Sequence, residues 1–475
     1  MPQLFRTPFS KDELLDYRSK LNSISPSFCS AKWKQVTLHL QSGLTHSCHH
    51  PTPHIIPVDE ITVTPSALHN TKFKKEQRKM MKEGQRPPEC NYCWGVEDLA
   101  NDVISDRVYK SAEEWSDNYL TEIKNLPWDA NVNPSYLEVS FNSVCNLKCS
   151  YCGPQFSSAW MEEIQILGPY PTSNYYNSIE HLKENNTMPI AKKEHNPYID
   201  AFWQWWPEIY PTLDHFRITG GEPLLSRDTF KVLDYIIENP NPNMELSINS
   251  NMSHHGPLFD RFVEKIKQIC EQKKIKKFKI FTSCEAHGKH AEYIRHGLSY
   301  DLWLSNIKRI LAEVPECTFT VTSTFNALSI VSYKSFLKDI LDIKKEFGGI
   351  DKDIPIIIDI PYLRQPSFLS MFILPSGILP YLEDIVTFMY NNKEVSDWKP
   401  LYNRGFFQFE IDKFIKLIEL FKEKSIGDTI TTVHKDFVAF VNEHDMRRGT
   451  NFVKTFPKLE NLYRRWQDTD ITSKE

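Results

Sequence analysis

From residue 135 onward, short runs in which apolar and polar positions alternate are separated by longer stretches with an apolar residue every three or four positions. The short runs, at about 135–141, 214–219, 244–249, 277–282, 317–323 and 354–360, read as strands. The longer stretches, at about 226–238, 257–272, 301–313 and 332–347, read as amphipathic helices. Strands separated by helices of this length are joined by crossovers, which makes the sheet parallel and the class α/β. A doubly wound sheet and an incomplete barrel both satisfy the pattern. Past Pro375 the strand signals stop and helical stretches follow at about 378–391, 409–424, 430–445 and 457–467. In the second of these, Phe414, Leu417, Ile418 and Phe421 share one face, and Lys413, Lys416 and Glu419 fall elsewhere.

Residues 1–130 have another texture. Long apolar periodicities are scarce and His, Pro and Cys are frequent, apart from a charged helical stretch at Asn70–Glu83. The chain thus divides into a cysteine-rich region (1–130), an α/β core (131–375) and a helical extension (376–475). Within the core, Gly168–Asn196 is long, polar and rich in Asn, Lys and Tyr, and reads as an insertion before the second strand. The aromatic run Phe202-Trp203-Gln204-Trp205-Trp206-Pro207 reads as core packing or helix docking.

A chain of 475 residues can bury a large core, as two or three domains or as one barrel with extensions. A formal net charge of -5 gives no footprint for a nucleic-acid partner, and the basic runs Lys72-Phe73-Lys74-Lys75 and Lys273-Lys274-Ile275-Lys276-Lys277 read as solvated faces. Met1-Pro2-Gln3-Leu4-Phe5-Arg6 lacks the apolar core of a signal peptide, and no apolar run approaches the roughly 20 residues that span a bilayer. A cytoplasmic protein with no membrane partner is the expectation. There, thiols are kept reduced, so the 10 cysteines read as metal ligands before disulfides.

The sharpest local signal is Cys145-Asn146-Leu147-Lys148-Cys149-Ser150-Tyr151-Cys152, entered from the strand-like Tyr136–Phe141. Closely spaced thiolates hold iron-sulfur clusters, and a cubane normally takes four. This run supplies three, which leaves one iron open to an exchangeable ligand. A zinc knuckle is the alternative, although zinc sites more often show two separated Cys-x2-Cys pairs. Some 70 residues on, Gly220-Gly221-Glu222-Pro223 ends a second strand-like run. Cysteine loop and glycine turn together resemble the radical S-adenosylmethionine (radical SAM) superfamily, over roughly Tyr136–Pro375.

That resemblance implies an open, TIM-like (β/α)6 barrel. It implies that Cys145, Cys149 and Cys152 hold a [4Fe-4S] cluster whose open iron is chelated by S-adenosylmethionine. An electron from a donor such as flavodoxin or ferredoxin then cleaves the sulfonium, and the 5′-deoxyadenosyl radical abstracts hydrogen from a substrate. By the same resemblance Gly220, Gly221, Glu222 and Pro223 meet the methionine amine, and Asn249 or Asn251 the ribose. Ser283 and Glu285, in a Ser-x-acidic pattern, contact cofactor or substrate. Each of these positions also suits an ordinary polar turn. Cys284 is a candidate hydrogen donor to a substrate radical or a buried apolar thiol; Asn326 and Leu363 are candidates for adenosine contact or structural capping.

Cys29, Cys48, Cys90 and Cys93 form a second group ahead of the core, the last two as a Cys-x2-Cys pair, and Cys270 and Cys317 stand apart with Cys284. Four thiolates outside the first motif make a complete ligand set for an auxiliary [4Fe-4S] cluster or a structural zinc. Auxiliary clusters occur in related enzymes in SPASM or twitch extensions, which usually follow the barrel; here the cysteines precede it. His49 and His50, beside Cys48, read as a replacement ligand or as neighbours that pack and hydrogen-bond. The substrate class implied is a peptide or protein, with a small metabolite as the alternative. A zinc-binding interaction protein without catalysis is the reading from another class.

Overall fold

The computed structural model describes residues 9–100, 102–174, 177–191, 193–350, 353–394, 402–426 and 429–468, so the stretch Met1–Arg6 lies outside the described residues. The chain forms two compact units. One comprises Met1–Ser143, Asn186–Ile248 and Glu271–Lys277, and the other Val144–Asn185, Asn249–Cys270 and Phe278–Glu475. Both are mixed α/β, with parallel strands joined by helices.

The first unit contains β1 (Gln35–His39), β2 (Leu44–His46), β3 (His54–Ile55), β4 (Tyr136–Ser140), β5 (His215–Thr219) and β6 (Asn241–Asn249). β4 pairs in parallel with β5, and β5 with β6. On the other side of β4, β1 joins in parallel and continues into β2 and β3 as an antiparallel meander. The cysteine-rich region therefore contributes strands to the sheet. The alternation Gln-Val-Thr-Leu-His that makes β1 is a strand signal only 5 residues long, inside a region that otherwise reads as irregular.

Three helices matter here: α1 (Lys72–Lys82), α2 (Pro197–Ile209) and α3 (Arg227–Glu238). α2 starts where Asn196 Oδ1 accepts from the Tyr198 and Ile199 amides, with Pro197 at the first helical position. It buries Phe202, Trp205 and Trp206, with Phe202 edge-on to Phe141 and Trp206 against Phe216 of β5. The aromatic run is core packing.

The second unit contains β7 (Ile275–Ser283), β8 (Thr318–Thr322) and β9 (Ile356–Asp359), paired in parallel in that order. The connecting helices are α4 (Pro257–Glu271), α5 (Tyr300–Glu313) and α6 (Tyr333–Phe347). α7 (Leu379–Asn391), α8 (Gln408–Lys424), α9 (Thr432–Arg448) and α10 (Glu460–Gln467) follow. α8 buries the predicted face, Phe414, Leu417, Ile418 and Phe421. A short helix, Ile179–Glu184, lies within the polar segment read as an insertion. Among the described residues, no helix is long and apolar enough to cross a membrane.

Candidate metal centres and ligand-binding residues

The loop carrying Cys145, Cys149 and Cys152 belongs to the second unit and is held from several directions. The Cys152 amide donates to the Cys149 carbonyl at 2.9 Å, closing a turn between those two cysteines. Lys148 and Cys149 form an antiparallel ribbon with His296 and Arg295. Two N–H groups point at the sulfurs: the Leu147 amide lies 3.4 Å from Cys145 Sγ, and Arg295 Nη1 lies 3.7 Å from Cys149 Sγ. Burial pushes the Cys149 thiol up, against the pull of Arg295. Donors aimed at sulfur suit a thiolate better than a thiol, and metal ligation requires the thiolate.

Arg295 is itself fixed. Its Nη2 and Nε reach Glu285 Oε2 at 2.7 and 3.1 Å, and it hydrogen-bonds the Tyr151 hydroxyl, which donates to the same Oε2 at 3.0 Å. Glu285 is fully buried, and its Oε1 has no partner. A carboxylate expected at the cofactor is thus placed, through one oxygen, behind the cysteine loop.

Sequence reasoning missed a second clamp. Arg448, at the end of α9, donates to the Lys148 carbonyl at 2.7 Å and reaches Glu163 at 3.3 Å; Lys148 Nζ meets Glu163 at 2.6 Å. Glu163 is buried, which alone would raise its pKa, but Arg448, Lys148 and Tyr170 outweigh burial and hold it at about 2. The contact spans 300 positions of sequence, so no local signal announces it.

The other predicted residues of this unit divide. Asn251 Nδ2 donates to Asn146 Oδ1 at 2.8 Å, tying the cysteine loop to the segment after β6. Asn249 ends β6 and Ser283 ends β7, both half-buried. Cys284 follows with the opposite parity, the one shared by Thr282, whose hydroxyl accepts from Trp303 of α5 at 2.9 Å. Its thiol is buried and donates to the Ala286 carbonyl at 3.3 Å, which fits the buried-thiol reading. Asn326 caps its own loop through Thr324 and Leu328, and buried Leu363 pairs with Phe325 through its backbone, contacts of the kind structural capping makes.

The glycine turn belongs to the first unit. Gly220 has φ +121, and a Cβ there would stand 2.6 Å from Ser140 Oγ and 2.8 Å from the Asn142 carbonyl. The next residue, Gly221, donates its amide to that carbonyl at 3.1 Å. Glu222 is buried and accepts from the Leu224 amide at 3.1 Å, capping the 3-10 turn that Pro223 opens.

Neighbours paired in a parallel sheet face the same way, so the register gives the sheet of this unit one polar face. Gln35, Tyr136, His215 and Glu245 form one row and Thr37, Glu138, Arg217 and Ser247 the next, with His39, Ser140 and Thr219 beyond. The alternate residues Val36, Leu38, Leu137, Val139, Phe216, Ile218, Leu246 and Ile248 are buried and apolar. Parallel strands buried on both faces are normally apolar throughout. Here Gln35 Oε1, Thr37 Oγ1, Glu138 Oε2 and Ser140 Oγ are buried without hydrogen-bond partners, and Arg217 Nη1 stands 3.7 Å from Glu138. A face of this kind suits a polar ligand.

Cys29, Cys48, Cys90 and Cys93 also lie in this unit, and all four line one small cavity. Lys32, Arg107 and Lys110 line it too. Cys29 precedes β1, Cys48 follows β2, and Cys90 and Cys93 sit in the turn and helix after α1. Burial raises all three of Cys29, Cys90 and Cys93, Cys90 to about 11. His50 lines the cavity with its Nε2 2.6 Å from Asp106 Oδ2 and its ring stacked on Tyr92, so it serves as a packing neighbour. A zinc ion about 2.3 Å from four sulfurs would hold them about 3.8 Å apart. Among the described residues, no three His, Cys, Asp or Glu side chains close on a single-ion grouping. Four cysteines around one cavity are a donor set that an iron-sulfur centre or a zinc could take.

The reading of Lys72–Lys75 as a solvated face is corrected at Lys74, which is fully buried. α1 turns Lys74, Gln77, Arg78 and Met81 inward and leaves Phe73 exposed, the reverse of ordinary amphipathic order.

No protein-family model and no curated protein matches the chain. Among solved structures it is similar to Streptococcus suis SuiB bound to S-adenosylmethionine, with a TM-score of 0.34 and 14% identity over 74% of this chain and 69% of that one. It is also similar to SuiB bound to the precursor peptide SuiA, with a TM-score of 0.34 and 14% identity over 81% and 74%. At that distance the function has to be read from the chain's own residues.

Proposed function

We propose that this chain is a radical SAM enzyme built on a partial (β/α)6 barrel, with a second iron-sulfur centre in its amino-terminal cavity. The observation that carries the reading is the loop that gathers Cys145, Cys149 and Cys152 with N–H donors aimed at two of their sulfurs. When bound, a [4Fe-4S] cluster with S-adenosylmethionine supplies one-electron cleavage of the sulfonium and hence a carbon radical that takes hydrogen from a substrate. The protein's own part is to hold, orient and exclude water.

Cys145, Cys149 and Cys152 hold the first centre, Arg295 donates to Cys149, and Glu285 and Tyr151 fix the guanidinium. Arg448, Lys148 and Glu163 fix the loop backbone. Gly220 and Gly221 allow close backbone approach, with Glu222 and Pro223 shaping the turn that meets the methionine amine. Asn249, Asn251, Ser283 and the unpartnered oxygen of Glu285 are assigned to cofactor or substrate. Cys29, Cys48, Cys90 and Cys93 hold the second centre, read as iron-sulfur with structural zinc as the alternative. The substrate is a peptide or protein, the electron donor a flavodoxin or ferredoxin, and the setting the cytoplasm.

Anaerobic reconstitution with iron, sulfide and a strong reductant tests the reading by the release of 5′-deoxyadenosine. The Cys145→Ala, Cys149→Ala, Cys152→Ala triple variant should release none. Undiminished release from that variant would sink the assignment.

A further inference from the structure

Burying a charge without an opposite charge is expensive, and buried charges are therefore almost always paired. Beside the four-cysteine cavity two are not. Lys74 and Arg78, four residues apart on α1, are both 0% exposed. Lys74 Nζ lies 2.7 Å from His69 Nδ1. His69 Nε2 lies 2.7 Å from the Trp33 carbonyl and 3.1 Å from Arg78 Nη2, and burial together with the two cations holds the imidazole neutral. Arg78 donates to Asn70 Oδ1 at 2.9 Å and to the Ala130 and Lys32 carbonyls at 3.3 and 3.4 Å. Every one of these partners is neutral.

The neighbouring buried cations are matched. Lys32 pairs with Glu89 and Arg107 with Glu97. When both are protonated, Lys74 and Arg78 make a surplus of two positive charges, on the helix whose Met81 lines the cavity with Lys32 and the four cysteines. Burial, with Arg78 and Lys32, holds the Lys74 ammonium well below the ordinary lysine range, while Glu89 and Cys48 pull it back up, so added negative charge at Cys48 is what keeps it protonated. Four neutral thiols would leave that surplus standing. Four thiolates around a cubane core leave a net charge of about -2, which cancels it.

We propose that Lys74 and Arg78 are the built-in counter-charge of a dianionic centre held by Cys29, Cys48, Cys90 and Cys93, and that they hold its reduction potential up. Reduction adds one negative charge to the centre, and a fixed positive charge in low dielectric favours the form that carries it. The proposal rests on the second-cluster reading above and deepens it by naming what makes that centre an electron acceptor. Lys74 and Arg78 are positioning and tuning residues, since neither ligates.

The test uses the full chain carrying the Cys145→Ala, Cys149→Ala, Cys152→Ala changes, so that only the second centre contributes. Iron content and an anaerobic dye-mediated redox titration followed by electron paramagnetic resonance are compared among this parent, Lys74→Met, Lys74→Arg and Arg78→Met. Lys74→Met should keep its iron with the reduction equilibrium moved at least tenfold toward the oxidised form, about 59 mV for one electron. Arg78→Met should move it the same way, and Lys74→Arg should stay within about twofold of the parent. Iron lost from Lys74→Met but kept by Lys74→Arg would support the proposal equally, since only the charge differs. Equal potentials in parent, Lys74→Met and Arg78→Met would overturn it. So would equal iron loss from Lys74→Met and Lys74→Arg, which would make Lys74 a packing residue. A parent that binds no iron, or one zinc per chain, fails earlier and differently: it removes the cluster reading itself before any cation is changed.

Discussion

Cys145, Cys149 and Cys152 come from one short loop and are all half-buried, whereas Cys29, Cys48, Cys90 and Cys93 come from three separated segments and two of them are buried. Their surroundings differ in charge as well. The loop sits against Arg295 and Arg448, each already paired with a carboxylate, Glu285 and Glu163. Lys74 and Arg78, on the helix whose Met81 lines the cavity, have no carboxylate at hydrogen-bond distance among the described residues. A centre that exchanges ligands needs an accessible face and a locally neutral frame. One that stores an electron can be enclosed, and its frame can carry the compensating charge. On the proposed function, the contrast is the one expected between a reacting centre and a relay.

Cysteine removal gives the largest effect and breaks the comparison most directly. Anaerobically prepared protein should hold about eight irons, from two cubanes of about four each. The Cys145/Cys149/Cys152 alanine triple should keep about four and lose all 5′-deoxyadenosine formation. The Cys29/Cys48/Cys90/Cys93 alanine quadruple should also keep about four, and should still cleave S-adenosylmethionine. Iron analysis of the two variants decides it, and loss of both centres from either one would merge the sites that the comparison separates.

Next in size is the glycine turn. Left-handed backbone and a crowded Cβ coincide at Gly220, and Gly221 is not among the glycines with positive φ. Gly220→Ala should therefore weaken S-adenosylmethionine binding at least tenfold and destabilise the fold by about 1–3 kcal/mol. Gly221→Ala should cost less stability. Equal melting temperatures for the two variants would remove the strain argument.

Much of this was legible. Most of the parallel strands announced themselves by alternating apolar with polar positions, β9 by its run of isoleucines, and the three-cysteine loop because its cysteines are adjacent in sequence. β1 was hidden by its length and its setting. Lys74 and Arg78 were hidden for a better reason: a basic residue at a helical position is read as solvated, and α1 inverts that rule. Local rules fail most often where a site demands it. The clamp by Arg448 was beyond any local reading, since its partner carbonyl at Lys148 is 300 positions away.

That clamp gives a pH-dependent prediction. Folding lowers the Glu163 carboxyl from 4.5 to about 2. A depressed carboxylate stabilises the fold above its unfolded pKa and loses that contribution as pH falls from about 4.5 toward 2, here on the order of 3 kcal/mol. Glu163→Gln should flatten acid unfolding over that window. Arg448→Met leaves Glu163 with Lys148 and Tyr170 as its partners and frees the Lys148 carbonyl, and should cost about 1–3 kcal/mol at neutral pH. A Glu163→Gln melting curve as acid-sensitive as wild type would count against the clamp.

The smallest expected effect is the most selective. Asn251 holds Asn146 by a hydrogen bond of 2.8 Å, and its own Oδ1 accepts from the Ser253 amide at 2.9 Å. Asn251→Asp keeps the acceptor that shapes the turn and removes the donor that reaches the cysteine loop. Asn251→Ala removes both. The site is exposed, so each bond contributes about 0.5–1.5 kcal/mol, and neither change should unfold the protein. If Asn251 acts only as a turn former, Asn251→Asp should behave as wild type. If it holds the loop that carries Cys145, both variants should lose iron from the first centre faster under a chelator while the second centre is unmoved. Iron release followed separately in the two cysteine-deleted backgrounds reads this directly, and equal acceleration at both centres would show a general loosening in place of a local tie.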